Sequence, residues 1–166
     1  MTTLRADAQR NRDRVLDAAC ECFAERGLDV SCDEIARRAG VGHGTVFRGF
    51  PTKDALLSAV VLRRVADLTV LAVEALDEPD PGEAFARFFR RAAGTYARDR
   101  ALVEGLGAYV ETPEMTAFMA AFGRLVEHAQ SAGVLRGDLA PADVLALVPA
   151  ASRYPDVILD GLRAAR

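Results

Sequence analysis

The chain has 166 residues, about half of them apolar, and a formal net charge of -3. This is enough to bury one substantial core or two small ones sharing a helix, since domains usually run to about 100–150 residues. It argues against a disordered chain and against a protein coated in nucleic acid. No run approaches the roughly 18 uncharged apolar residues of a membrane span, and Met1 to Arg14 is polar with no signal-peptide core, so a cytoplasmic protein with no membrane partner is expected.

The first predicted helix starts at Arg10, puts Val15, Leu16, Ala19, Phe23 and one or both of Cys20 and Cys22 on an apolar face, and closes at Gly27, as glycine commonly closes helices. The N-terminal arm, which holds Arg5, Arg10, Arg12 and Arg14 among Asp7 and Asp13, is expected to be mostly disordered. Cys20, Cys22 and Cys32 are odd in number and lack metal-ligand spacing, so they are expected to pack, with no disulfide and no zinc.

Ser31-Cys32-Asp33-Glu34 reads as a complete capping box opening a second helix, with Ser31 capping the first turn and Glu34 returning to the Ser31 amide. Ile35, Ala36 and Ala39 supply its buried side, Gly40 ends it, and a short segment runs from Gly42 to Phe50. Two short helices joined by a tight glycine turn, the second with short outward side chains, are what a helix-turn-helix needs to enter the major groove. Val41, Val46 and Phe50 can lock these helices against Ile35 and Phe23. His43, Gly44, Thr45, Phe47 and Arg48 are then left to face DNA, and Ser31 joins this candidate set.

Lys53, the only lysine, opens a long amphipathic helix to about Leu76. A lysine there faces the positive end of the helix dipole unless an anion such as DNA phosphate joins it; the plainer alternative is a solvated side chain beside a Thr52 cap. Up to residue 58, nine cations meet nine carboxylates, while the rest of the chain is net acidic. The head is therefore the likelier DNA face, through a few placed contacts and no broad basic stripe.

Residues 77–82 read as an acidic, proline-bearing loop, and helical patterns follow near 83–98, 99–110 and 113–132, the last stopped by Gly133. Pro141 opens a helix to about Val148, and after 149–155 a final helix carries Val157, Ile158, Leu159 and Leu162. The fold class is all-α, with residues 1–52 as a three-helix head joined by a long helix to a helical-bundle body, the second domain being 53–166.

Arg14-Val15-Leu16-Asp17-Ala18-Ala19, Phe23-Ala24-Glu25-Arg26-Gly27, Ile35-Ala36-Arg37-Arg38-Ala39-Gly40-Val41, Gly44-Thr45-Val46-Phe47-Arg48 and Phe50-Pro51-Thr52-Lys53-Asp54-Ala55-Leu56-Leu57 together resemble the DNA-binding head of the TetR family, in the family's order and spacing. The stretch from Ala132 to Leu139 resembles a turn frequent in the bodies of these regulators. The resemblance implies a recognition helix from Gly42 to Gly49 with His43, Gly44 and Thr45 at its groove-facing start, and Lys53 as a phosphate contact. It further implies a homodimer through the last two helices, a double-stranded DNA operator, and repression relieved by a small molecule.

Two positions depart from the family pattern: Phe47 stands where tyrosine is common, and Gly49 where histidine or another polar residue is frequent. Phe47 has no phenolic hydroxyl for a phosphate, so modest, salt-sensitive affinity with a share of shape readout is expected. Phe85, Phe88, Phe89, Tyr96, Tyr109, Met115, Phe118, Met119 and Phe122 could line a pocket for a small apolar or aromatic effector, the alternative for each being plain core. No cofactor, metal or catalytic residue is expected. The contrasting reading, a helical enzyme or small-molecule carrier using Cys20, Cys22 or His43 without DNA binding, lacks a base at supporting spacing, and His43 and His128 lie far apart in sequence. A third reading, a DNA-binding protein with no effector, differs only in whether small molecules change operator affinity.

Overall fold

A computed structural model describes residues 2–98 and 111–164. The described residues are helical in almost every element, and they fall into two compact units that part inside one helix, between Arg63 and Arg64.

In the first unit, α1 (Thr2–Arg26) leads through a 3-10 turn (Gly27–Asp29) to α2 (Cys32–Ala39), α3 (His43–Gly49) and the start of α4 (Lys53–Leu76). Helix α1 begins eight residues before the expected Arg10, which corrects the expectation of a disordered arm. Ala6, Ala8, Gln9 and Arg10 are good helix formers, and pairs one turn apart, Arg10 with Asp7 and Gln9 with Asp13 (2.9 Å), support residues 6–10, all of them exposed. From Val15 the helix turns apolar side chains inward, and Phe23, Ile35, Val46, Leu56 and Val60 meet with almost no exposure.

Cys20 and Cys22 are both buried in this core. Burial pushes the Cys22 thiol up, keeping it a protonated packing group. On the outer side of α1 and α2, the Arg38 guanidinium donates to Glu25 (2.7 Å) and lies 3.7 Å from Glu21. That hydrogen bond holds the Glu25 carboxyl below its ordinary range.

The second unit holds the rest of α4 with α5 (Pro81–Arg98), α6 (Pro113–Ser131), α7 (Pro141–Ala146), α8 (Val148–Ala151) and α9 (Pro155–Leu162). Helix α5 starts two residues before the expected Glu83, because the Asp80 carboxylate accepts the amides of Gly82 (2.9 Å) and Glu83 (3.1 Å). Thr112 caps α6 in the same way through Met115 N (3.2 Å). The expected link 149–155 contains a further turn of helix, α8. Pro149 lacks an N–H and crowds the carbonyl four residues back, so the helix from Pro141 breaks at Leu147 and resumes.

Beyond α6, Gly133 takes a left-handed φ of 69°, and the chain returns to pair with its own C-terminal segment. Leu135 and Arg163 form an antiparallel bridge, flanked by Arg136 N to Leu162 O (3.0 Å) and Ala164 N to Val134 O (3.3 Å). Around it α5 packs on α6, α8 and α9. No described helix is long and apolar enough to cross a membrane.

Candidate nucleic-acid interface

The turn between α2 and α3 is set by Gly40, whose φ of 63° and ψ of 38° are left-handed. Its N–H donates to Arg37 O (3.2 Å), and Val41 N donates to Ala36 O (3.0 Å). This paired closure satisfies the last carbonyls of α2 and swings the chain into α3. Arg14 of α1 donates to the Gly40 carbonyl (3.2 Å), and a Cβ at Gly40 would come within 2.7 Å of the Arg14 guanidinium. Gly40→Ala is therefore expected to cost about 1–2 kcal/mol, chiefly from left-handed backbone strain, since the Arg14 tip can move aside. A urea unfolding midpoint equal to the parent's would refute this account of the turn.

Ser31 caps α2 as expected, its Oγ accepting from Glu34 N (3.3 Å). The reciprocal half of the capping box is not made, because the Glu34 carboxylate is taken by Arg26 at the end of α1. The box is therefore corrected to a single cap.

Helix α3 turns Val46 inward (1% exposed) and leaves His43, Gly44, Phe47 and Arg48 exposed, with Thr45 half-buried. Arg48 lies back along the helix, donating through Nε to Gly44 O (3.1 Å) and through a terminal nitrogen to Thr45 Oγ1 (3.2 Å). Because the Thr45 oxygen accepts there, its own O–H remains able to donate outward. A Cβ added to Gly44 would meet nothing within 4 Å, so packing makes no demand for glycine there. Phe47 is 41% exposed and leans on the His43 ring, with centroids 4.5 Å apart. The His43 Nδ1 meets the Asp33 carboxylate of α2.

At the start of α4, Thr52 accepts the Ala55 amide (3.0 Å), and the exposed Lys53 donates its ammonium to the Leu28 carbonyl. One of three ammonium protons is spent there, and two remain for another acceptor. Overall balance hides a local asymmetry in charge. Asp7, Glu21, Glu25 and Glu34 are engaged by Arg10, Arg38 and Arg26, whereas Arg12, Arg14, Arg37, Arg48 and Lys53 have no carboxylate partner among the described residues. Arg12 lies over the Phe50 ring at 4.6 Å instead.

In the body, Phe85, Phe88, Phe89, Met115, Phe118 and Phe122 are buried, and Met119 and Tyr96 half-buried; Tyr109 lies outside the described residues. Phe122 packs on Phe88 (5.5 Å) and Phe118 (5.7 Å), and Phe85 on Phe89 (5.7 Å). A cleft of about 630 Å³ lies between the start of α5, residues 133–135 and α9. Of the predicted pocket residues that the structure describes, only Phe85 reaches it; Arg90, Asp156, Asp160 and Arg163 give it a charged wall.

Residues 15–60 match the family described as bacterial regulatory proteins of the tetR family, and residues 80–164 match the C-terminal domain of SbtR-like transcriptional regulators. The chain is a member of the TetR family. A solved TetR transcription regulatory protein from Mycobacterium vanbaalenii is 47% identical, with 97% of this chain and 99% of that one covered and a TM-score of 0.76. The TetR regulator SCO0520 from Streptomyces coelicolor is 32% identical, with 93% and 99% covered and a TM-score of 0.68. Among curated relatives, SrpR of Pseudomonas putida is 43% identical over 60 residues, which are 36% of this chain and 28% of SrpR. The repressor Rv3405c of Mycobacterium tuberculosis is 40% identical over 92 residues, 55% of this chain and 46% of that protein. The chain thus spans less than half the length of these curated relatives.

The TetR-family chain is a DNA-binding transcriptional regulator and, like its relatives, no enzyme. Sequence reasoning missed two side chains that organise its head, Asp33 and Arg14. Asp33 could have been found: it sits in the first turn of α2, and the glycine turn brings the start of α3 back toward it.

Proposed function

We propose that this regulator works as a homodimeric repressor, holding α3 of each chain in successive major grooves and leaving its operator when a small apolar or aromatic molecule occupies the C-terminal domain. Residues 1–52 then form the DNA-binding domain and 53–166 the effector and dimerisation domain. The observation that carries this reading is the exposed face of α3. Behind it a full hydrophobic core holds the helix rigidly, while the outward side chains are a donor-competent Thr45, an Arg48 fork, His43 and a glycine that packing does not require. Thr45 and Lys53 are assigned to phosphate, and His43 and Arg48 to the groove. Gly44 admits close approach of the backbone, Phe47 fills space against the duplex, and Ser31 lies beside it. Two chains are required because a pseudo-palindromic operator presents two half-sites about one helical turn apart. The last two helices, with Tyr154 (62% exposed) and Val157 (70% exposed), supply the apolar surface for the pairing.

The test is a fluorescence-anisotropy titration of the purified protein against DNA upstream of its own gene, with salt varied and then with aromatic and aliphatic small molecules added. Saturable binding that weakens with salt, and that some of these molecules abolish, is the expected result. Binding that no molecule alters would leave a DNA-binding protein without an effector. No binding by a folded dimer to that DNA or to genomic fragments would sink the reading.

A further inference from the structure

Resting on the assignment of α3 to the major groove, we propose that Asp33 is a positioning residue that fixes what His43 reads there. By holding the imidazole in one tautomer, Asp33 makes the outward nitrogen a hydrogen-bond acceptor, so that His43 selects a base edge bearing an amino group, adenine N6 or cytosine N4.

The geometry dictates the polarity. The His43 Nδ1 meets the Asp33 carboxylate. An ionised carboxylate can only accept, so the hydrogen of a neutral ring must sit on Nδ1, and Nε2 is left with a lone pair. A second contact keeps the ring from turning over: Phe47, one helical turn on, lies against it at 4.5 Å and 39°. Both partners of the pair are more than half exposed, so the Nε2 edge is open to a ligand.

His43 is also the first residue of α3, at the end from which recognition helices reach base edges. In the major groove adenine and cytosine present amino donors, whereas guanine N7 and O6 and thymine O4 are acceptors. A bare Nε2 therefore pairs with the first two and faces a lone pair in the others. With Asp33 removed, the imidazole is free to present either a donor or an acceptor, and the discrimination disappears while the helix stays in place.

The experiment selects from a randomised duplex library with the parent protein and with the Asp33→Ala, Asp33→Asn and His43→Ala variants. Ring tautomers are read in parallel from two-bond 1H–15N NMR spectra at mildly alkaline pH. The parent is expected to show the Nδ1–H tautomer and, at one base step in each half-site, a preference of about tenfold for adenine or cytosine over guanine or thymine. Asp33→Asn offers an amide that can donate to Nδ1 as well as accept from it, so it should release or invert the tautomer and weaken the preference. Asp33→Ala should lose both signatures, with selection at the other steps and the salt dependence unchanged, and His43→Ala should lose the preference along with the contact itself. An Nε2–H tautomer in the parent, or an undiminished preference in Asp33→Ala, overturns the proposal alone. A parent that selects no sequence overturns the groove assignment and the proposal with it.

Discussion

Titrated against operator DNA, Thr45→Ala and Lys53→Ala are each expected to bind about thirtyfold more weakly than the parent chain, for different reasons. A hydrogen bond to a charged acceptor is worth about 2 kcal/mol, which is roughly that factor. Thr45 carries no charge, so its loss should lower affinity at every salt concentration and leave the slope of log affinity against log salt nearly unchanged. It also removes the acceptor that holds one end of the Arg48 fork along α3. Lys53 is a point charge whose loss should flatten that slope by about 0.9 for each phosphate contact removed. Its ammonium already rests on the Leu28 carbonyl, so the side chain is partly ordered before DNA arrives and little rotamer freedom remains to be lost. Parent-like affinity in both variants would mean that the face formed by α3 and the start of α4 does not meet DNA.

Phe23→Ala is expected to destabilise the head by about 3–5 kcal/mol, the usual range for removing a buried aromatic ring. Phe23 is 1% exposed and lies in the cluster with Ile35, Val46 and Phe50, so its removal opens a cavity in the core that α1, α2 and α3 share. That loss rivals the whole stability of a small domain, about 5–15 kcal/mol, and DNA binding should fail with it. Phe47→Ala makes the contrast. Its ring is 41% exposed, and its removal should shift the urea midpoint little, as surface substitutions do. Equal midpoints for the two variants would contradict the burial pattern on which the head is built.

Much of this was legible because the controlling chemistry is local. Ser31 before an acidic first turn, Gly40 after a short apolar pattern, and the uninterrupted repeat from Lys53 to Leu76 each state their structure within a few residues. Legibility ended where distant residues compete. Glu34 would complete a capping box on spacing alone, yet Arg26, eight residues earlier, takes its carboxylate. The N-terminal arm reads as mostly disordered, yet side-chain pairs one turn apart hold it in α1. The partnership of His43 with Asp33 depends on the turn having already folded. The aromatic stripe of α5 and α6 is legible as apolar, but which rings meet each other and which reach the cleft depends on how those helices pack.

The clasp between residues 134–136 and 162–164 is made entirely of main-chain groups, and such bonds are indifferent to side-chain identity. The exposed Val134, Arg136 and Arg163 can therefore change side chain without opening it, while the buried Leu135 and Leu162 are held by the core as well. Two positions carry a further constraint on the main chain. Arg136 and Ala164 each donate an amide to it, so proline is the one residue that mutation cannot place there while the C-terminal segment stays tied back to the body.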